Sequence, residues 1–214
     1  MHLNLDVETK NTLLKMYFYM QDTAIEIKSA VNLLYIIKDF INGMPHEIIG
    51  NNIALKAPPE PLDLYVNISR VAFHNLIINI FKLGELIEKN QRILGNTPKF
   101  RKLANEFRSK FFTKDLRFYR NTYVAHHSNN QKGTSGEFLN YEELTETFCK
   151  IISIDIKLLQ RDIKTVFPLL LQYGENFYSK ENKPSEIFHI IINSQAEFKE
   201  ILSVAELNRK YKFS

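Results

Sequence analysis

Apolar positions recur at helical spacing along most of the chain, separated by short breaks rich in Gly, Pro, Ser and Asn. From about Leu5 to Ile41, residues Leu13, Leu14, Tyr17, Ile25, Val31, Leu34, Ile37 and Phe40 predict two helices or one bent helix, stopped by "NGMP". The connection at about 44–61 follows. Its prolines (Pro58, Pro59, Pro61) make it a poor helix, and Ile48, Ile49, Ile53 and Leu55 suit a short hairpin lying on the domain. Leu62 to Glu88 is apolar nearly all round, which marks a central, mostly buried helix. Thr97-Pro98 reads as an N-cap with proline at the first helical position, opening a helix to about Phe112. Thr113 is placed to cap a further helix reaching about His126 or His127.

A polar loop at about 128–140 comes next, and Asn140 with Glu143 resembles a capping box. Leu144, Phe148, Ile151, Leu158, Ile163 and Val166 predict one long helix, kinked or ended at Pro168. A last helix is predicted to start near Pro184. The pattern predicts an all-α bundle of five to seven helices, with residues 1–214 forming a single domain.

Charge adds one feature. The chain carries a net +4, but Pro98 to Arg120 holds eight cations against two carboxylates, Glu106 and Asp115. The remainder is therefore net acidic. Lys99, Arg101, Lys102, Arg108, Lys110, Lys114 and Arg117 form either a solvated helix face or a surface for the RNA backbone. The lone Cys149 excludes an intrachain disulfide and a CxxC zinc site. The first ten residues lack the basic and apolar regions of a signal peptide, so a cytoplasmic location is expected, without a membrane span.

The chemistry concentrates beside that basic segment, in "RFYRNTYVAHHSNN". Arginine offers a planar, permanently charged fork for a phosphate, and histidine exchanges a proton near neutral pH. Arg120, Asn121, His126 and His127 together suit RNA cleavage without a metal or other cofactor. A base takes the ribose 2′-hydroxyl proton, the oxygen attacks phosphorus, and a cation stabilises the charge that develops. On a continuous helix Arg120 aligns with His127; it meets His126 only where the helix unwinds, near Ala125. One such stretch supplies few proton-transfer groups, so a two-fold dimer, self-associating through an apolar helix such as that from Leu62, would assemble a fuller site.

The stretch "RNTYVAH", Arg120 to His126, resembles the signature of the HEPN superfamily: an arginine, a polar residue after it, and a histidine after four to six residues. Its Val-Ala-His ending looks most like the abortive-infection, AbiU-type members. The resemblance implies a helical bundle and a metal-independent endoribonuclease with a composite site in a homodimer. It also implies a role in phage defence or a toxin–antitoxin system, with an antitoxin protein as partner. Ser128 stands where toxins paired with a nucleotidyltransferase antitoxin carry tyrosine, which argues against silencing by modification there.

Other roles fit the same residues. The domain can be a non-catalytic module that binds RNA, a nucleotide or a protein, or an interaction domain whose motif is coincidental. Arg120 can pair with Glu143, and His126 can cap a helix end. His74, on the most buried helix, reads as a satisfied core histidine. At least two of Phe118, Tyr119 and Tyr123 read as core rather than base-stacking, and Cys149 as a small buried hydrophobe.

Overall fold

The structure, a computed structural model, describes residues 5–43, 46–49, 52–55, 59–124, 141–159, 163–178, 197–199 and 202. Seven α-helices lie among these residues: α1 (Val7–Gly43), α2 (Pro59–Lys89), α3 (Pro98–Lys110), α4 (Lys114–Tyr119), α5 (Tyr141–Ile152), α6 (Ile156–Leu159) and α7 (Ile163–Glu175). The architecture is an all-α bundle. The hairpin in the proline-rich connection pairs β1 (His46–Ile49) antiparallel with β2 (Asn52–Leu55), His46 opposite Leu55.

α1 is one continuous helix. It opens where the Asp6 carboxylate accepts the Thr9 backbone N–H at 2.8 Å. Its buried stripe, Leu13, Met16, Met20, Ala24, Ile27, Val31, Leu34, Ile37 and Ile41, steps by three and four residues and faces α2. Two residues expected inside, Ile25 and Phe40, lie just off that stripe and are exposed. α2 starts earlier than expected, at Pro59. Prolines in a first turn lack only N–H groups that have no partner there.

α2 is central, with Leu76, Ile77 and Ile80 fully buried. It is not buried all round, however: Leu64 and Val71, seven residues apart on one stripe, are 56% and 62% exposed. The buried Asn79 is satisfied within the helix. Its amide donates to the Asn75 backbone oxygen at 2.9 Å, and its carbonyl accepts from Lys82 at 3.2 Å.

The long helix expected after the polar loop is three helices, broken before Pro168 rather than at it. Ser153 takes a left-handed φ of 56°. Its N–H bonds the Lys150 carbonyl at 3.3 Å and the Ile154 N–H bonds that of Cys149 at 2.9 Å, the paired bonds of a Schellman end. Asp155 then accepts the Lys157 N–H at 2.9 Å and starts α6. α7 runs through Pro168 to Glu175. Cys149 is buried, as a small hydrophobe would be.

Thr97 is the N-cap residue of α3 with Pro98 behind it, but its side chain makes no capping bond. A residue distant in sequence does so instead. The buried Glu197 carboxylate accepts the N–H groups of Lys99 at 3.3 Å and Phe100 at 2.7 Å, while Phe198 packs on Phe100. The rest of the predicted last helix, and Asn140 of the expected capping box, lie outside the described residues.

Candidate functional site

The segment carrying Arg120 follows a sharply built corner. Thr113 caps α4 as its sequence predicts, its hydroxyl accepting the Leu116 N–H at 3.2 Å. α4 lasts six residues, and the backbone then widens into a π-turn, Arg120–Val124. The widened turn begins at Arg120 itself, and Ala125, where unwinding would bring Arg120 to His126, lies outside the described residues. Such wide turns are uncommon and are enriched at functional sites.

Side chains of α2 receive this turn. The buried Tyr119 places its hydroxyl 3.4 Å from His74 Nε2, and Tyr123 meets the His74 ring edge-on at 5.2 Å. Burial and the neighbouring Tyr123 push the Tyr119 phenol well above its ordinary pKa, while the Arg70 charge opposes them. Tyr119 is therefore core, and Phe118 and Tyr123 are partly buried against the same cluster. His74 is a structural neighbour of the turn, as its position on α2 suggested.

Arg120 is half-buried and held from two sides. One guanidinium nitrogen donates to the Asn121 side-chain oxygen at 2.9 Å, and the group lies 4.5 Å from the centre of the Phe81 ring. Its contacts among the described residues are this amide and this ring, and no ion pair to a carboxylate is among them. The cation is fixed in direction while its charge stays uncompensated by these neighbours.

Arg117 and Arg108 are placed differently. Both donate to the same oxygen of Glu88, at 3.0 and 3.3 Å, and Arg117 stacks on Phe112 at 4.0 Å. These arginines hold Glu88 below its ordinary carboxylate pKa of 4.5, the Arg117 hydrogen bond being the largest cause. Phe112 in turn meets Phe81 edge-on at 5.3 Å, which links the Arg117 and Arg120 perches. Gly84 makes room for that ring: a Cβ there would lie 2.2 Å from a Phe112 ring carbon.

Lys99, Arg101, Lys102 and Lys114 are exposed, and Lys110 lines a cavity against α5 and α7. His126 and His127 lie outside the described residues. The motif therefore contributes Arg120 and Asn121 to the described site. Sequence reasoning missed the seats of the arginines: Phe81, Phe112 and Glu88. One signal was available, a glycine inside the apolar helix at "FKLGELIE", which marks a close approach.

The helical bundle thus presents the Arg120–Asn121 pair at a widened turn. The sequence model of the HEPN-like integron domain matches residues 9–157, from the start of α1 into α6. The chain belongs to that family. No curated protein and no solved structure matches it. The match spans the corner that carries Arg120. The likeness to abortive-infection members rests on the Val-Ala-His ending alone. No helix among the described residues is long and apolar enough to cross a membrane.

Proposed function

We propose that this HEPN-type domain is a metal-independent endoribonuclease, with Arg120 as the phosphate-binding cation. The observation that carries the reading is the state of Arg120: its guanidinium is clamped by Asn121 and the Phe81 ring, with no carboxylate partner among the described residues. A structural arginine is usually neutralised, as Arg117 and Arg108 are on Glu88. One held without a counter-charge is ready for an anion that arrives from solution.

In this reading the phosphate of the scissile bond sits on the Arg120 fork. His126, with His127 as the second candidate, takes the ribose 2′-hydroxyl proton or protonates the leaving oxygen, and Asn121 keeps Arg120 in place. The exposed stripe of α2 at Leu64 and Val71 supports a two-fold dimer that brings two such stretches to one phosphate. Lys99, Arg101, Lys102 and Lys114 steer the RNA backbone, and Arg108 and Arg117 are restrained from doing so by Glu88. A defence or toxin–antitoxin role, with a cognate antitoxin, follows from the same reading.

The test uses purified full-length protein in EDTA with a labelled structured RNA and its all-DNA analogue. Cleavage of RNA alone, lost in the His126→Ala/His127→Ala double variant, is the expected result. RNA that stays intact but is retarded by wild type and not by Arg120→Ala contradicts the enzyme and points to a binding module.

A further inference from the structure

We propose that Arg70 of α2 is a second phosphate-binding residue of the site, holding a phosphate of the RNA strand that flanks the one on Arg120. This role rests on the nuclease reading of Arg120 and adds to it the course of the substrate strand.

Residue spacing on α2 sets the placement. Arg70, His74, Phe81 and Glu88 follow one another at steps of four and seven, which puts them on one stripe of the helix. The segment from α4 into the π-turn runs along that stripe in the opposite sense. Arg117 meets Glu88 at 3.0 Å, Arg120 lies 4.5 Å from the Phe81 ring centre, and Tyr123 packs on His74 at 5.2 Å. Arg70 is the next position of the stripe, one turn beyond His74. Its side chain is exposed, yet its charge reaches the buried Tyr119 hydroxyl and opposes the effect of burial on that phenol. The guanidinium therefore stands beside the turn and in solvent at once. The other two cations of α2 are tied to carboxylates, Lys82 to Glu26 at 3.2 Å and Lys89 to Glu85 at 3.6 Å. Arg70 is the cation that α2 brings to the motif.

Distance decides which phosphate Arg70 takes. From Arg70 to Phe81 the helix rises about 16 Å, at about 1.5 Å per residue. Side chains on one helix lean the same way, toward its N-terminus, so that separation is carried out to their ends. A single phosphate does not span it, whereas a strand advancing about 3.4 Å per nucleotide covers it in a few steps. With the scissile phosphate on Arg120, Arg70 holds a flanking one, and the strand follows α2 toward its N-terminal half. The exposed stripe of Leu64 and Val71 is turned about 100° away from Arg70, so the surface for RNA and the surface offered for self-association are different.

The test is binding of a labelled single-stranded 2′-O-methyl oligoribonucleotide to the intact protein, followed by fluorescence anisotropy across a salt series, with melting curves alongside. This probe keeps every phosphate and cannot be cleaved by 2′-hydroxyl attack. Arg70→Ala should melt as wild type does, bind about tenfold or more weakly and lower the salt slope by about 0.7. Arg70→Lys keeps the charge but not the planar fork, so the slope should return while affinity recovers only in part. Lys82→Ala removes the same charge from another side of α2 and should bind as wild type does. In Arg70→Ala/Arg120→Ala the two losses should multiply, because the arginines hold separate phosphates. A double variant no weaker than Arg120→Ala would put both arginines on one phosphate and overturn the flanking assignment. Arg70→Ala that binds as wild type does, while Arg120→Ala weakens, overturns the role of Arg70 and leaves the Arg120 reading standing. No binding by wild type, or binding indifferent to Arg120→Ala, overturns both.

Discussion

Arginines one turn apart in this chain have opposite fates, decided by single neighbours. Arg117 shares Glu88 with Arg108, whereas Arg120 rests on Phe81 and Asn121. Glu88→Gln should therefore release two cations. The expected outcome is tighter RNA binding with a steeper salt dependence, measured by filter binding across a salt series. The same substitution has a pH signature in stability. The Glu88 carboxyl titrates lower in the folded chain than its ordinary 4.5, so its contribution is full above that value and fades as pH falls through the lowered one. The pair is partly exposed, so the loss at neutral pH is held to below about 1 kcal/mol. Denaturant melts of wild type and variant should converge in acid, and a gap that persists there would contradict the pairing. Ser153→Gly tests a different kind of residue effect. Relief of the left-handed serine should raise stability by about 0.5–1 kcal/mol in the same melts; a loss would show that the position is not strained.

Elements were legible where local signals decide them and hidden where distant residues do. The Thr113 cap, the Pro98 start and the helical character of α1, α2 and α3 follow from spacing and cap chemistry. The α5–α6 break was hidden because a serine does the work usually given to glycine, so periodicity ran through it. The N-terminal cap of α3 was hidden because Glu197 lies far along the chain. The π-turn left no pattern in sequence: Arg120–Val124 looks like ordinary helix until Tyr119 and Tyr123 are both seated on His74. Gly84 is the sequence trace of this corner, and Gly84→Ala should act at element scale. The added methyl meets the Phe112 ring, and overpacking of this kind costs about 1–3 kcal/mol. Because Phe112 braces Phe81, RNA binding should weaken beyond what the fall in folded fraction explains. A variant with wild-type melting and wild-type binding would remove Phe112 from the account.

For the whole molecule, the core and the site share material. Tyr119 packs the corner that displays Arg120, and Tyr173 of α7 packs its ring against Phe73 and Phe177. Both phenols are held well above their ordinary pKa of 10 by burial, with Tyr123 adding to the effect at Tyr119. The folded state keeps these protons where the unfolded chain releases them, so the stability they confer is complete below pH 10 and lost as pH rises beyond it. An alkaline titration followed by tyrosinate absorbance should show the exposed tyrosines ionising first and these two only together with unfolding. The family match covers residues 9–157 and so includes this corner. The central claim, that the corner exists to hold a scissile phosphate, is tested most directly by comparing wild type with Arg120→Ala on one labelled RNA in EDTA, with melting curves alongside. The account predicts fragments ending in 2′,3′-cyclic phosphate from wild type, and a rate lower by about a hundredfold or more from a variant that melts normally. Equal cleavage by the two proteins, or none by wild type, would contradict it.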